Sequence, residues 1–173
     1  MEIRFLTPDD AGGWLGLRLE ALQRDPEAFS ASFEEYQALP IEEVKRRLWS
    51  STDSFVAGAF EGNRLVGMAG FYREQGLKTR HKGRVWGVYV TRTMRGQGVG
   101  RKLMLRLLKR ALEMGEVKQV LLSVTGTQQA AVALYRSLGF EIFGTEPEAL
   151  NVGGRLIDEH YLTLRLDRIS GQE

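Results

Sequence analysis

What most constrains this 173-residue chain is a glycine-rich turn between two segments of different periodicity. Residues 83–91 read as a strand, with Val85, Trp86, Val88, Tyr89 and Val90 supplying β-branched and aromatic side chains. The turn Arg95-Gly96-Gln97-Gly98-Val99-Gly100-Arg101 follows. Beyond it Val99, Leu103, Leu107 and Ala111 recur every four residues, with Met104 and Leu108 beside them and Lys102, Arg106, Lys109 and Arg110 opposite. That pattern predicts an amphipathic helix, which Gly115 ends. The apolar run Val120-Leu121-Leu122 then marks a strand over residues 119–125. Strand, turn, helix and strand make a β-α-β unit, and everything else in the chain must pack around it.

The flanking segments complete the layout. Ile3 and Phe5 alternate like a short strand, and Thr7-Pro8-Asp9-Asp10 is the signature of a capped helix start. Trp14, Leu15, Leu17, Leu19 and Leu22 belong to that helix, which stops near Asp25-Pro26. Residues 27–39 read as irregular, and Pro40 opens a second helix through Val44 and Leu48. Residues 54–60 and 65–72 form a hairpin about Glu61-Gly62-Asn63. A helix over 128–138, closed by Gly139, and strands over 140–143 and 156–166 finish the chain. The expected fold class is α/β (α+β): one domain over residues 1–173, with a mixed sheet and helices on both faces.

The glycine turn has a physical use. The first amides of a helix lack internal partners, and the helix dipole adds partial positive charge there. Glycine leaves that backbone open to a bulky anion, so the turn is a phosphate cradle, with Arg95 and Arg101 placed to add charge-assisted hydrogen bonds. The same glycines also suit a tightly packed helix start with no ligand. A mononucleotide loop needs Gly-Lys-Ser/Thr, but Gly100 is followed by Arg101-Lys102-Leu103. A dinucleotide fingerprint needs an acidic residue about 20 positions on, where Lys118, Gln119 and Val120 stand.

Composition excludes other chemistry. There is no cysteine, which removes disulfides and thiolate sites, and only two histidines, His81 and His160, so a metal centre is not expected. A net charge of +2 is too small for a nucleic-acid surface. MEIRFLTPDD has no apolar targeting core, and no apolar run approaches membrane-spanning length, so a cytoplasmic protein without membrane contact is expected.

Two motifs together identify a family resemblance. The turn resembles the R/Q-x-x-G-x-G/A signature of the GNAT superfamily of N-acetyltransferases, and Trp86-Gly87-Val88-Tyr89-Val90 is similar to the strand before it. Ala131-Val132-Ala133-Leu134-Tyr135-Arg136-Ser137-Leu138-Gly139-Phe140 resembles that family's A-x-x-L-Y-x-x-x-G-F segment. The resemblance implies a GNAT-like sheet of about seven strands, whose parallel strands 83–91 and 119–125 splay around acetyl-CoA. It also implies a cofactor site made of Val88, Tyr89 and Val90, the loop Arg95, Gly96, Gln97, Gly98, Val99, Gly100 and Arg101, and Gln128, Ala131 and Tyr135. Gln128 stands where many members have asparagine, with the same amide on a longer stem. No metal is implied.

The implied reaction is direct attack of a primary amine on the thioester. Tyr135 is then the candidate acid toward the leaving thiolate, and its plain alternative is a half-buried helix tyrosine. Many members carry a glutamate on the strand before the loop, and residues 84–90 contain no carboxylate. Glu35 and His160 are the candidate bases, and such groups are more often solvated surface charges than catalysts. Phe29, Phe33, Tyr36, Trp86 and Tyr89 suit an aromatic wall or ordinary core. The acceptor is a small amine, a protein N-terminus or a lysine, and a homodimer through the late strands is implied. The competing readings are a non-catalytic acetyl-CoA-binding sensor or interaction domain, and a nucleotide-binding protein of another class.

Overall fold

A computed structural model of the chain describes residues 1–166. Four strands come before the glycine turn: β1 (Glu2–Phe5), β2 (Ser54–Glu61), β3 (Arg64–Arg73) and β4 (Lys82–Val90). Three follow it: β5 (Gln119–Thr125), β6 (Glu141–Val152) and β7 (Arg155–Arg165). They form one sheet in the order β1-β2-β3-β4-β5-β7-β6. Among the described residues only β4 and β5 run parallel; every other neighbouring pair is antiparallel. The central strands β2 and β3 are buried along nearly their whole length, as strands covered on both faces must be.

The helices divide between the two faces. α4 (Val99–Glu113) and α5 (Gln129–Ser137) lie on one. The expected stripe of α4 is buried in full, from Val99 through Leu103, Met104, Leu107 and Leu108 to Ala111. Leu103 and Leu107 belong to the larger core cluster with Ala57 of β2 and Val66 of β3, and Leu103 reaches Gly67 of β3. Burying a side chain of that size stabilises the fold by about 1.5–3 kcal/mol. On the other face lie α1 (Ala11–Arg24), α2 (Phe33–Gln37) and α3 (Ile41–Arg47). Trp14 and Leu17 of α1 and Val44 of α3 pack there with Val56 and Met68. The buried stripe of α1 is Trp14, Leu17, Arg18, Ala21 and Leu22, an apolar face with a cation in its middle.

Two segments differ from the sequence expectation. Residues 27–39 are not wholly irregular: Ser32 and Glu35 close a capping box that makes α2. β6 runs to Val152 rather than stopping at Phe143. Pro147 lies inside the strand, where the register shift between Glu146 and Leu150 absorbs it. Glu148 takes φ 54° in that shift, and its amide donates to Asp158 Oδ1 at 2.9 Å. The positive φ of Gly153 and Gly154 then turns β6 into β7. Among the described residues no helix is long and apolar enough to cross a membrane.

Candidate functional site

The parallel pair is short. Lys82, Gly83 and Arg84 pair with Gln119, Val120 and Leu121, and pairing stops there although β4 runs on to Val90 and β5 to Thr125. The cause lies on the other edge of β4. Gly70 pairs with Trp86 and Met68 with Tyr89, so two residues of β4 oppose one of β3. Gly87, at φ 61°, makes that bulge, which bends β4 and opens a gap beside Val88.

The glycine turn closes one end of this gap. Gly96 and Gly98 both adopt φ 75°, where a side chain is strained, and a Cβ on either would meet nothing within 4 Å. Gly100 has a different role: a Cβ there would stand 3.2 Å from Leu134, so its absence lets α4 lie close against α5. The helical ladder is joined by the Lys102 amide donating to the Gly98 carbonyl at 3.1 Å. The amides before it, through Gln97 and Val99, stand at an open, positively polarised helix N-terminus.

The two arginines expected to flank the cradle are engaged elsewhere. Arg95 Nε donates to the Val90 carbonyl at 2.9 Å, and its guanidinium pairs with Asp25 at the end of α1. Arg92 joins the same carboxylate at 2.8 Å. Partial burial pushes the Asp25 carboxyl upward, but Arg95 and then Arg92 outweigh it and hold it below its ordinary value. Arg101 Nη1 donates to Ser137 Oγ at 3.0 Å, tying α4 to α5. The cradle is therefore built of backbone amides, and its arginine side chains brace the walls.

Across the gap α5 carries the second motif. Tyr135 is 5% exposed and meets Phe140 edge to face at 6.1 Å, and Ala131 packs against the same cluster. Burial pushes the Tyr135 phenol upward, so it stays protonated at neutral pH. Gln128 sits at the N-cap of α5, with its side-chain amide 3.5 Å from Thr127 Oγ1.

The remaining candidates occupy different places. The Glu35 carboxylate accepts the Ser32 amide at 2.6 Å as the capping acid of α2, and that bond lowers its pKa, which makes it a poorer proton acceptor. His160 lies on β7 opposite Val124, with Nδ1 2.8 Å from Thr145 Oγ1 and its ring against Gly126 just past β5. Tyr89 faces α1, and its hydroxyl donates to Glu20 Oε1 at 3.0 Å. Thr91 Oγ1 reaches the same oxygen at 2.6 Å. Nothing in the sequence pattern marks Glu20.

Burial, then Glu20, raises the Tyr89 phenol to about 12. A phenol whose pKa is higher folded than unfolded keeps its proton longer in the folded chain. Its stabilising effect is complete below about pH 10 and is lost as pH rises toward about 12. The unfolding midpoint should therefore fall over that window, and fall less steeply in Tyr89→Phe than in the parent. Equal slopes would remove Tyr89 from the alkaline transition.

On the α1 side the aromatic side chains converge on Arg18. Trp14 lies 6.0 Å from Tyr36 and 6.3 Å from Trp86, and Phe29 lies 6.3 Å from Tyr89. The Arg18 guanidinium sits 4.7 Å from the rings of both Phe29 and Tyr36. Burial lowers its pKa, although an arginine remains charged. Periodicity could have found it, since Arg18 is one turn from both Trp14 and Leu22. Beside these rings a cavity of about 660 Å³ opens between residues 22–34 and 149–153, lined by apolar Leu22, Phe29 and Leu150 and by polar Ser30, Glu34 and Asn151. Among the described residues no group of three or more His, Asp or Glu side chains is placed to hold a metal.

Comparison with known proteins converges on one family. Residues 19–140 match the Acetyltransferase (GNAT) family. The chain is 35% identical to the L-methionine sulfoximine/L-methionine sulfone acetyltransferase of Pseudomonas aeruginosa over 80 residues, which is 46% of each chain. It thus spans about half the length of that relative. It is also 35% identical to the N-alpha-acetyltransferase RimI of Mycobacterium tuberculosis, over 66% of this chain and 69% of RimI. The fold matches yncA of Salmonella typhimurium, a structure with its cofactor acetyl-CoA, at a TM-score of 0.80 and 23% identity, covering 96% and 94% of the two chains.

Proposed function

Because the chain belongs to the acetyltransferase (GNAT) family, we propose that it is a cytosolic N-acetyltransferase that moves the acetyl group of acetyl-CoA to a primary amine. One observation carries the reading. The gap between β4 and β5 opens directly onto the amide-lined N-terminus of α4, so one continuous groove suits an extended thiol arm followed by a pyrophosphate.

The roles of the chain's own groups follow from this geometry. Backbone amides of residues 96–101 hold the pyrophosphate. The unpaired edge of β4 at Val88 aligns the arm and offers an amide to the developing oxyanion. Val90 contributes less, because Arg95 already occupies its carbonyl. The amine attacks the thioester carbon; the C–N bond forms, the C–S bond breaks, and sulfur leaves as a thiolate. Tyr135 donates a hydrogen bond as charge grows on sulfur. The thiolate, of pKa about 8.5, takes up one proton while the new amide nitrogen gives up another.

Such a site favours an α-amine acceptor. A lysine amine near pKa 10.4 is only about 0.04% neutral at pH 7, whereas an α-amine near pKa 8, the value it has beside an amide or a carboxylate neutralised by a cation, is about a tenth neutral. The α-amine needs no strong base, which fits a β4 without carboxylates. This reading leaves Glu35 to capping α2 and His160 to bracing the end of β5.

Thermal unfolding with acetyl-CoA, CoA, ATP and NADH, followed by mass-spectrometric detection of acetylated amines, tests the proposal. At 100 times its dissociation constant a ligand stabilises by about 2.7 kcal/mol, or a midpoint rise of roughly 5–10 °C. Only the two CoA compounds should give it. A rise with ATP or NADH alone would discard the reading, and CoA binding with no turnover of any amine would favour a binding module.

A further inference from the structure

Arg18 fills a position in α1 that the packing reserves for apolar side chains, and it is 5% exposed. Its Nε and Nη1 atoms are buried and have no hydrogen-bond partner. Among the described residues it makes no salt bridge; burial lowers its pKa, the Tyr36 side chain partly offsets this as a hydrogen-bonding neighbour, and a second cation, Arg47, stands nearby. Leaving such donors unsatisfied costs free energy, more for a charged group than a neutral one. Phe29 and Tyr36 cover the faces of the guanidinium and offset part of that cost. Rings on the faces leave Nε and Nη1 free in the plane, and an in-plane edge is where a guanidinium binds a carboxylate.

The surroundings indicate what reaches that edge. Nη1 lies 3.6 Å from the point where a Cβ on Gly87 would stand, so the cation borders the bulge that opens the gap. A carboxylate held there places a nitrogen only one carbon removed beside Val88. The cover is thin, since no residue from 26 to 40 is buried, and the cavity that adjoins it has a mixed lining, Leu22, Phe29, Phe33 and Leu150 beside Glu34 and Asn151. We propose that Arg18 is the carboxylate receptor of the acceptor site and that the acceptor is a free α-amino acid. The cavity then takes that side chain, and the aromatic rings keep water from the ion pair. This inference rests on the acetyl-transfer reading above.

The test compares L-amino acids with their own carboxamides, which keep the α-amine and lose the charge. Each is titrated calorimetrically onto the protein with and without CoA, and each is assayed for acetylation. At least one amino acid should bind about 10- to 100-fold more tightly than its amide. Arg18→Gln should erase the preference by raising KM for the acid with kcat changed less than about threefold, and Arg18→Lys should restore part of it. If no amino acid in the panel outbinds its amide on the parent protein, the assignment falls, and that arm requires no variant to fold. A preference that survives Arg18→Gln also overturns it, as does an equal loss for acid and amide. A carboxylate preference without CoA binding or acetylated product would overturn the acetyl-transfer reading and leave the Arg18 receptor standing.

Discussion

Gly98→Asp should abolish acetyl-CoA binding while the protein stays folded. Gly98 is the N-cap of α4 at φ 75°. Aspartate is among the few residues that visit that conformation, and a carboxylate at a helix N-terminus is stabilising in itself. The point where its Cβ would stand has nothing within 4 Å, so the side chain has room. The proposed occupant of that room is a pyrophosphate. Placing like charges side by side costs several kcal/mol, so the dissociation constant should rise at least about 100-fold. The readouts are calorimetry and the ligand-induced rise in the unfolding midpoint, with circular dichroism as the check on folding. Undiminished acetyl-CoA affinity in the folded variant would remove the glycine turn from the site. Gly100→Asp is a poor substitute for this experiment, because its Cβ would press on Leu134 at 3.2 Å and perturb the α4–α5 contact.

The second large effect is expected at Tyr135. Removing the hydroxyl in Tyr135→Phe leaves the ring against Phe140 and should alter acetyl-CoA affinity by less than about threefold. Turnover should fall by about 10²- to 10⁴-fold if the hydroxyl is the group that meets the leaving sulfur. The upward shift of the phenol predicts the accompanying pH profile. Tyr135 holds its proton across the whole neutral range, so the parent's kcat should show no loss of an acidic group below about pH 10. Single-turnover measurements keep product release from masking the chemical step. Unchanged single-turnover rates would make Tyr135 a packing residue and leave protonation of the thiolate to solvent.

These expectations draw on two kinds of information, and the division follows from how far apart the interacting groups lie in the chain. The local features were legible in the residues. Three glycines between a β-branched segment and a four-residue apolar repeat require a strand, an open turn and a helix, and α4 buries the stripe that the repeat marks. Those contacts join residues within a few turns, so spacing alone reveals them. The hairpin at Gly62 and the helix carrying Tyr135 were legible for the same reason. β6 was misjudged because a bulge that tolerates Pro147 is stabilised by its partner strand, with Asp158 reaching back to the Glu148 amide.

Tertiary structure decided how distant groups pair. Arg95 is drawn from the cradle to Asp25, 70 residues away, and Arg101 to Ser137, 36 residues away. Glu20 becomes the acceptor for Tyr89 and Thr91 only when α1 lies across β4. The splay itself depends on the bulge at Gly87, which is visible only in the register of β4 against β3. Arg18 joins the two levels. Its place in an apolar stripe is written in the spacing of Trp14, Leu17 and Leu22, but only the folded chain closes Phe29 and Tyr36 over its faces. The sequence alone showed where an open helix start must form, because that depends on local backbone freedom. The packing of α1 and α2 against β4 decided where an unpaired charge would be buried, because charges separated along the chain are paired or left alone only by the fold.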